Sequence, residues 1–490
     1  MEDFKRKVSR GVRWTGINTI SATLIQLVEL SVLAHLLGPE TFGLMAIISV
    51  VVGLAGVFSD VGLSSAVIQR KSPTHEELST LYWINVGTGF VVFILFTLIS
   101  PLIATSFGST ELRSMLPVAA LSFVITSFGT QFVALIHKQL RFDIVTKFSV
   151  ASSLLGMSVS IILALCDFGV WALIWGDLST TLSLTIMRVA WAKTANMLPS
   201  LHFNWQDKRG YLSFGSYRVA TLFINQIHSR IDLLLIGALL GPVVLGYYNI
   251  AFRLAMAPIM KINSILTTVA FPAFSSVQDN EVLLKKGFMK MIGLVTSANA
   301  PILVGMAALA PLLVPALFGE QWRPSIPLVQ VLAIYSLLRS FANAASSLIL
   351  AKGKADWAFY WNLALSLLVP PVIFAAAKTD SVLNICYALV ALQMLIFFVH
   401  YRLFVRNLIG PCFNEYVKVI LRPVILAACM GVLMFLASNF APISNNILAL
   451  SLSAIGGICA YAALSLVFQR PVVSEIMTFF IVKRKRQLLP

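Results

Sequence analysis

Residues 36–43 read LLGPETFG, and residues 239–246 read LLGPVVLG. Laid over one another at an offset of 203, the two stretches bring Leu36, Leu37, Gly38, Pro39, Gly43 and Ile47 onto Leu239, Leu240, Gly241, Pro242, Gly246 and Ile250. The segments before them align without a gap, so that Thr15 falls on Arg218 and Glu29 on Asp232. Gly-Pro is a common tight turn, and one octapeptide match would mean little. A second echo follows in the same order: FGSTELRSMLP at 107–117 resembles FGEQWRPSIP at 318–327. Two echoes in register read as an internal repeat.

The solvent of this chain is lipid. Of its 490 residues 58% are hydrophobic and 11% charged, with mean hydropathy +0.87, whereas soluble domains carry about 25% charged residues. A hydrocarbon core of ~30 Å needs ~20 apolar residues per helix. Fourteen such runs lie at 13–36, 42–68, 81–106, 115–137, 148–166, 169–191, 211–237, 244–275, 288–313, 326–350, 356–377, 382–400, 423–441 and 446–468. The eighth contains Pro258 and is expected to be kinked. The basic opening MEDFKRKVSRGVRW leads into a run too long and too polar-spotted for a cleaved signal, and reads as a retained first span. The five cysteines are scattered, with no CxxC and no His/Cys cluster. No disulfide framework and no metal site is expected.

The net charge of +16 is a topology signal. With the N-terminus in the cytoplasm, 28 of the 36 Lys and Arg residues fall on cytoplasmic segments, including KRKR at 483–486. Three fall outside (Arg113, Arg323 and Lys378), and five lie inside helices: Arg218, Arg230, Arg253, Lys261 and Arg339. This is the positive-inside pattern, with both termini cytoplasmic and an attraction to anionic inner-leaflet lipids. It argues against nucleic acid as the partner.

Six spans separate the copies of the turn, so the halves face the same way, and such halves flank a central site. The expectation is an all-α polytopic membrane protein of 14 transmembrane helices. Two six-helix lobes, 1–200 and 201–410, form a parallel pseudo-twofold repeat, and 411–490 adds two helices and a basic tail. The repeated turn itself is expected to bind nothing.

Several stretches resemble the polysaccharide-transporter branch of the multidrug/oligosaccharidyl-lipid/polysaccharide (MOP) exporter superfamily, which includes O-antigen and colanic-acid exporters. They are LLGPETFGLMAI at 36–47, FSDVGLSSAVIQR at 58–70, RIDLLLIGALLGPVVLGYYNIAFRLAMAP at 230–258 and FPAFS at 271–275. The resemblance covers essentially the whole chain. It implies a flippase of the bacterial cytoplasmic membrane that moves an undecaprenyl-pyrophosphate-linked oligosaccharide outward for capsule, exopolysaccharide, O-antigen or lipopolysaccharide assembly. Downstream polymerase or export machinery would be its partner.

Ionisable groups at bilayer depth cost at least ~2.5 kcal/mol each, so they face a cavity or a partner. On the seventh run Arg218, Asn225, Ser229 and Asp232 share one face. Arg253 and Lys261 lie on the eighth run, and Tyr335, Arg339, Asn343 and Ser346 form a stripe on the tenth. Arg and Lys suit a pyrophosphate, and Asn, Ser and Tyr suit sugar hydroxyls. Arg218, Asn225, Arg253, Lys261, Arg339 and Asn343 are therefore the candidate substrate residues. The other reading is polar helix–helix contact, with Arg253 and Arg339 bridged to Asp232 or Asp177. Arg230 and His228 point elsewhere and read as packed groups. Glu29, Asp60 and Asp232 are the carboxylates whose H⁺ or Na⁺ binding could couple transport to an ion gradient. Trp14, Trp83 and Trp322 read as interfacial anchors, and RKSPTHEEL at 70–78 as a helix-capping turn.

No loop is long enough for a soluble catalytic domain and no DxD is present. The expected mechanism is alternating access without covalent chemistry, cofactor or catalytic residue. The alternatives are a multidrug cation antiporter of the same superfamily, disfavoured by the cations inside the membrane, and a membrane glycan polymerase or ligase.

Overall fold

The computed structural model describes residues 2–59, 74–204, 211–440 and 446–468, without the side chains at 2–9, 12, 211–221, 228, 264–269, 343, 344, 355, 438–440, 446 and 447. Among these residues no strand occurs. Two compact units divide at Gly246 and Tyr247.

The first unit holds α1 (Glu2–Leu36), α2 (Pro39–Gly56), α3 (His75–Ser106), α4 (Leu112–Ser127), α5 (Thr130–Lys138), α6 (Phe142–Leu165), α7 (Val170–Thr194) and the opening part of α8 (Tyr211–Ser276). Pro39 occupies the first turn of α2, where its missing N–H costs nothing. At α3, Thr74 accepts from the Glu77 N–H while the Glu77 carboxylate accepts from the Thr74 N–H, a reciprocal cap of the kind the sequence suggested. Helices α6 and α7 pair along their lengths. A Cβ on Gly156 would run into the Thr180 hydroxyl, and one on Gly176 into that of Ser160. Small residues bring these backbones close, as helices in lipid require.

The second unit continues α8 and adds α9 (Glu281–Phe318), a 3₁₀ turn (Glu320–Trp322), α10 (Ser325–Ala351), α11 (Ala355–Ala377) and α12 (Val382–His400). A π-helical turn (Tyr401–Val405) and α13 (Arg406–Ile409) lead into α14 (Phe413–Phe440) and α15 (Asn446–Phe468). Helix α9 is the hub and packs against α10, α14 and α15. Its Phe288 ring stacks on Tyr416 at 6.0 Å, and Tyr416 stacks on Phe397 at 5.5 Å.

Among the described residues twelve helices are long and apolar enough to cross a membrane, or thirteen when α4 and α5, bent by 40°, count as one span. At 1.5 Å per residue α8 would run ~100 Å, several times a bilayer core. Its 66 residues are interrupted at Gly241, which is non-helical with φ 81° and ψ 174°. The break falls between the two runs expected there, 211–237 and 244–275. Pro258 causes no comparable break among the described backbone angles.

Left-handed backbone positions recur along the chain. Gly108, Leu140, Asp167 and Asn196 have positive φ, and so do Gly319, Gly353, Asp380 and Gly410. Taken in order, each pair lies 211 to 214 residues apart. The turns after successive helices therefore close in the same way twice.

Candidate functional site

The two copies of the repeated turn meet. A Cβ built on Gly43 would run into the carbonyl oxygen of Pro242, and one built on Gly246 into that of Pro39. Each glycine thus lays its Cα against the proline carbonyl of the other copy, the reciprocal pattern of a twofold contact. Gly237 is closed in beside it, with Ile47 and Phe107 within 3.3 Å of where its Cβ would stand. The turns differ in one respect. Gly38 has φ −75° and Gly241 φ 81°, with ψ 169° and 174°, so only the second turn depends on glycine's access to positive φ.

The candidate polar residues divide between the units. In the first, Asn225 is exposed, Ser229 and Glu29 are half-buried, and Asp232 is buried at 8% exposure. Gln226, next to Asn225, lies against Gly53 of α2 with its amide nitrogen 2.9 Å from where a Cβ would sit. Neither Glu29 nor Asp232 stands without an interaction. The Arg218, His228 and Asn343 side chains and all of Asp60 lie outside the described residues.

In the second unit, Arg339 on α10 is half-buried, and its Nη1 donates to the Tyr335 hydroxyl at 3.2 Å. The guanidinium carbon lies 5.9 Å from the Tyr335 ring centroid, so the ring also supports the cation through its face. Ser346, two turns further along this stripe, is exposed. On α8 Arg253 is exposed and Lys261 half-buried, while Asn249, one turn before Arg253, is buried at 2%.

Beside this stripe runs a buried amide relay that the sequence reading passed over. Asn299 Nδ2 donates to Asn263 Oδ1 at 3.1 Å and to the Val295 carbonyl at 3.0 Å. Asn263 Nδ2 donates to the carbonyl of Ser340, the residue after Arg339, at 3.2 Å. The signal was available: each is a lone amide in an apolar run, and Asn299 stands two residues before Pro301. A second omission is Arg188, which lies within the run 169–191 and on α7 but is counted with the cytoplasmic cations.

Trp322 is a correction. It is fully buried, its ring edge-on to Tyr247 at 5.8 Å, and it anchors the turn 319–325 inside the protein instead of at a lipid interface. Ser325 adds a hydrogen bond to the Tyr247 carbonyl at 3.2 Å. Trp83 is half-buried and donates its indole N–H to the Ser200 carbonyl at 2.9 Å.

The family described as "Polysaccharide biosynthesis protein" matches residues 32–327. The chain is 30% identical over 473 residues to the teichuronic acid biosynthesis protein TuaB of Bacillus subtilis (strain 168), covering 94% of this chain and 95% of that one. It is 31% identical over 417 residues to the lipopolysaccharide biosynthesis protein WzxC of Escherichia coli (strain K12), covering 84% of each. Among solved structures it is similar to the lipid II flippase MurJ in an inward closed conformation. The TM-score is 0.74 at 14% identity, over 93% of this chain and 99% of that one. It is also similar to an inward-facing MATE family multidrug resistance transporter of the MOP superfamily, with TM-score 0.54 at 13% identity over 93% and 96%. At such identities the likeness is one of fold. The chain belongs to the polysaccharide biosynthesis protein family.

Proposed function

We propose that the protein is a flippase of the bacterial cytoplasmic membrane. It moves a polyprenyl-pyrophosphate-linked oligosaccharide from the inner to the outer leaflet by alternating access and carries out no covalent chemistry. The observation that carries this reading is Arg339 of α10, held by the Tyr335 hydroxyl and ring; together with Arg253, exposed on α8, we take it as the cationic wall of the second unit. It lies in a chain similar almost end to end to proteins of teichuronic acid and lipopolysaccharide biosynthesis. Arginines at bilayer depth need an anionic or polar counterpart, and a diphosphate offers paired acceptor oxygens to a guanidinium.

The same reading takes fourteen spans, both termini in the cytoplasm, and two lobes, 1–200 and 201–410, followed by two added helices. The recurrent left-handed turns and the reciprocal Gly–Pro contact support the repeat. We assign that contact to the outer side of the seam between the two lobes, where outward opening would separate Gly43 from Pro242 and Gly246 from Pro39. Glu29 and Asp232, with Asp60, are the groups proposed to bind H⁺ or Na⁺ differently in the two states.

Deletion of the gene in its host, followed by profiling of lipid-linked intermediates, tests the cargo. A complete repeat unit accumulating on the inner leaflet is the expected result. An incomplete glycan would point to an enzyme, and an unchanged profile with altered drug tolerance to a multidrug antiporter.

A further inference from the structure

Helix α9 carries Pro301, Pro311 and Pro315 in its interior. Each proline lacks the N–H that would bond the carbonyl four residues earlier, so Pro301 frees Ser297 and Pro311 frees Ala307. Neighbouring helices take up both. The Tyr461 hydroxyl of α15 donates to the Ser297 carbonyl at 3.1 Å, and Gln330 Nε2 of α10 donates to the Ala307 carbonyl at 3.3 Å. In lipid a freed carbonyl has no water to turn to. Gly457 seats α15 closely on α14, where a Cβ would come within 2.8 Å of the Met434 methyl, and Gly305 does the same for α9 on α14, 3.4 Å from the Met430 methyl.

Two residues from Pro301 stands Asn299, fully buried, whose relay reaches the Ser340 carbonyl beside Arg339. Among the described residues its Oδ1 has no hydrogen-bond partner. The amide is therefore committed wholly as a donor, and its aim depends on how α9 is bent.

We propose that Tyr461 is a positioning residue for the cationic wall. By occupying the rung that Pro301 leaves open, the last helix sets the local shape of α9. Asn299 and Asn263 transmit that shape to the backbone of α10 at Ser340, and so to the seat of Arg339. The last helix, outside the repeat, is in this way part of the transport machinery of the second unit. This deepens the flippase reading and rests on it for what Arg339 holds.

The test is a double-mutant cycle in the full-length protein. Any residue but proline at position 301 restores the N–H to Ser297 and makes the Tyr461 hydroxyl redundant there. Tyr461→Phe alone is expected to lower the melting temperature in detergent by roughly 2–4 °C. It is also expected to reduce polymer export in a deletion host about threefold, at a growth temperature well below melting. In the Pro301→Ala background, or Pro301→Leu should Ala fold poorly, adding Tyr461→Phe should change neither readout. Additive effects would overturn the proposal, as would an unaltered Tyr461→Phe protein. Coupling in melting with unchanged export would overturn the positioning role. The melting arm needs no cargo, so failure of the coupling and failure of the flippase reading are told apart.

Discussion

Helix α3 contains one interior proline, and it caps the carbonyl so freed by itself: the Ser100 hydroxyl donates to Thr97 at 2.8 Å. Helix α9 follows the second copy of the repeated turn as α3 follows the first. It contains three prolines, and it hands two of the freed carbonyls to α10 and α15. At its proline α3 needs no neighbour, although Asn85 and Gln131 tie it elsewhere to α4 and α5 at 3.3 and 3.0 Å. A helix capped from outside is tied to its neighbours there. The second unit also buries Trp322 in the turn after α9, while the corresponding turn after α3, 107–111, contains no aromatic residue beyond Phe107. Turn geometry thus recurs between the two regions, while in α9 the carbonyls freed by proline are capped from outside.

The comparison can be broken at several points. The largest effect is expected at the two glycines where the halves agree. Gly43→Leu and Gly246→Leu each drive a side chain into a backbone carbonyl, an overpacking cost of about 3 kcal/mol or more. Both should lose monodisperse protein to a similar degree; if only one does, the contact is not reciprocal in energy. Next comes Trp322→Ala, expected to cost ~3–5 kcal/mol as a large buried side chain is removed and read as a fall in melting temperature. Arg339→Ala should leave melting nearly unchanged while export falls roughly tenfold or more, the worth of a charge-assisted hydrogen bond to cargo. Arg339→Lys should recover part of that loss, and full export by Arg339→Ala would remove the residue from the site.

Smaller effects test the capping contrast itself. Gln330→Leu should lower stability by ~1 kcal/mol, and Ser100→Ala by less, because the Ser100 bond stays within one turn of its own helix. The reverse order in melting temperature would contradict the account of α9. The least effect is expected at Glu320 and Arg323, an exposed pair in the turn after α9. Its hydrogen bond from Arg323 holds the Glu320 carboxyl below its usual range. A lowered carboxylate contributes above its ordinary titration range and loses that contribution as pH falls, but exposure screens it. Glu320→Gln should not move melting at neutral pH or at pH 4.

Much of this was legible in the sequence. Twenty-residue apolar runs placed the helices because lipid enforces length and hydrophobicity together. The glycine and proline spacing of 36–43 and 239–246 exposed the repeat because turns demand particular residues. What was not legible depends on partners distant in the chain. Nothing in LLGPETFG says that Gly43 needs room for the Pro242 carbonyl. A tryptophan beside a turn looks the same whether it faces lipid or Tyr247. The prolines of α9 announced missing rungs, but only the fold shows that Tyr461 and Gln330 fill two of them. The stripe of Tyr335 and Arg339 was read from helical spacing, and the relay through Asn263 and Asn299 was not, since it joins three helices.

Transbilayer movement of cargo by the purified protein tests the central claim most directly. Vesicles reconstituted with the full chain and loaded with a polyprenyl-pyrophosphate-linked oligosaccharide would be probed with an impermeant glycosidase. The account predicts that the protected, inner-leaflet glycan becomes accessible much faster than in protein-free vesicles, and that Arg339→Ala slows this without altering reconstitution. A wild-type rate equal to that of protein-free vesicles, under imposed H⁺ and Na⁺ gradients alike, would contradict it.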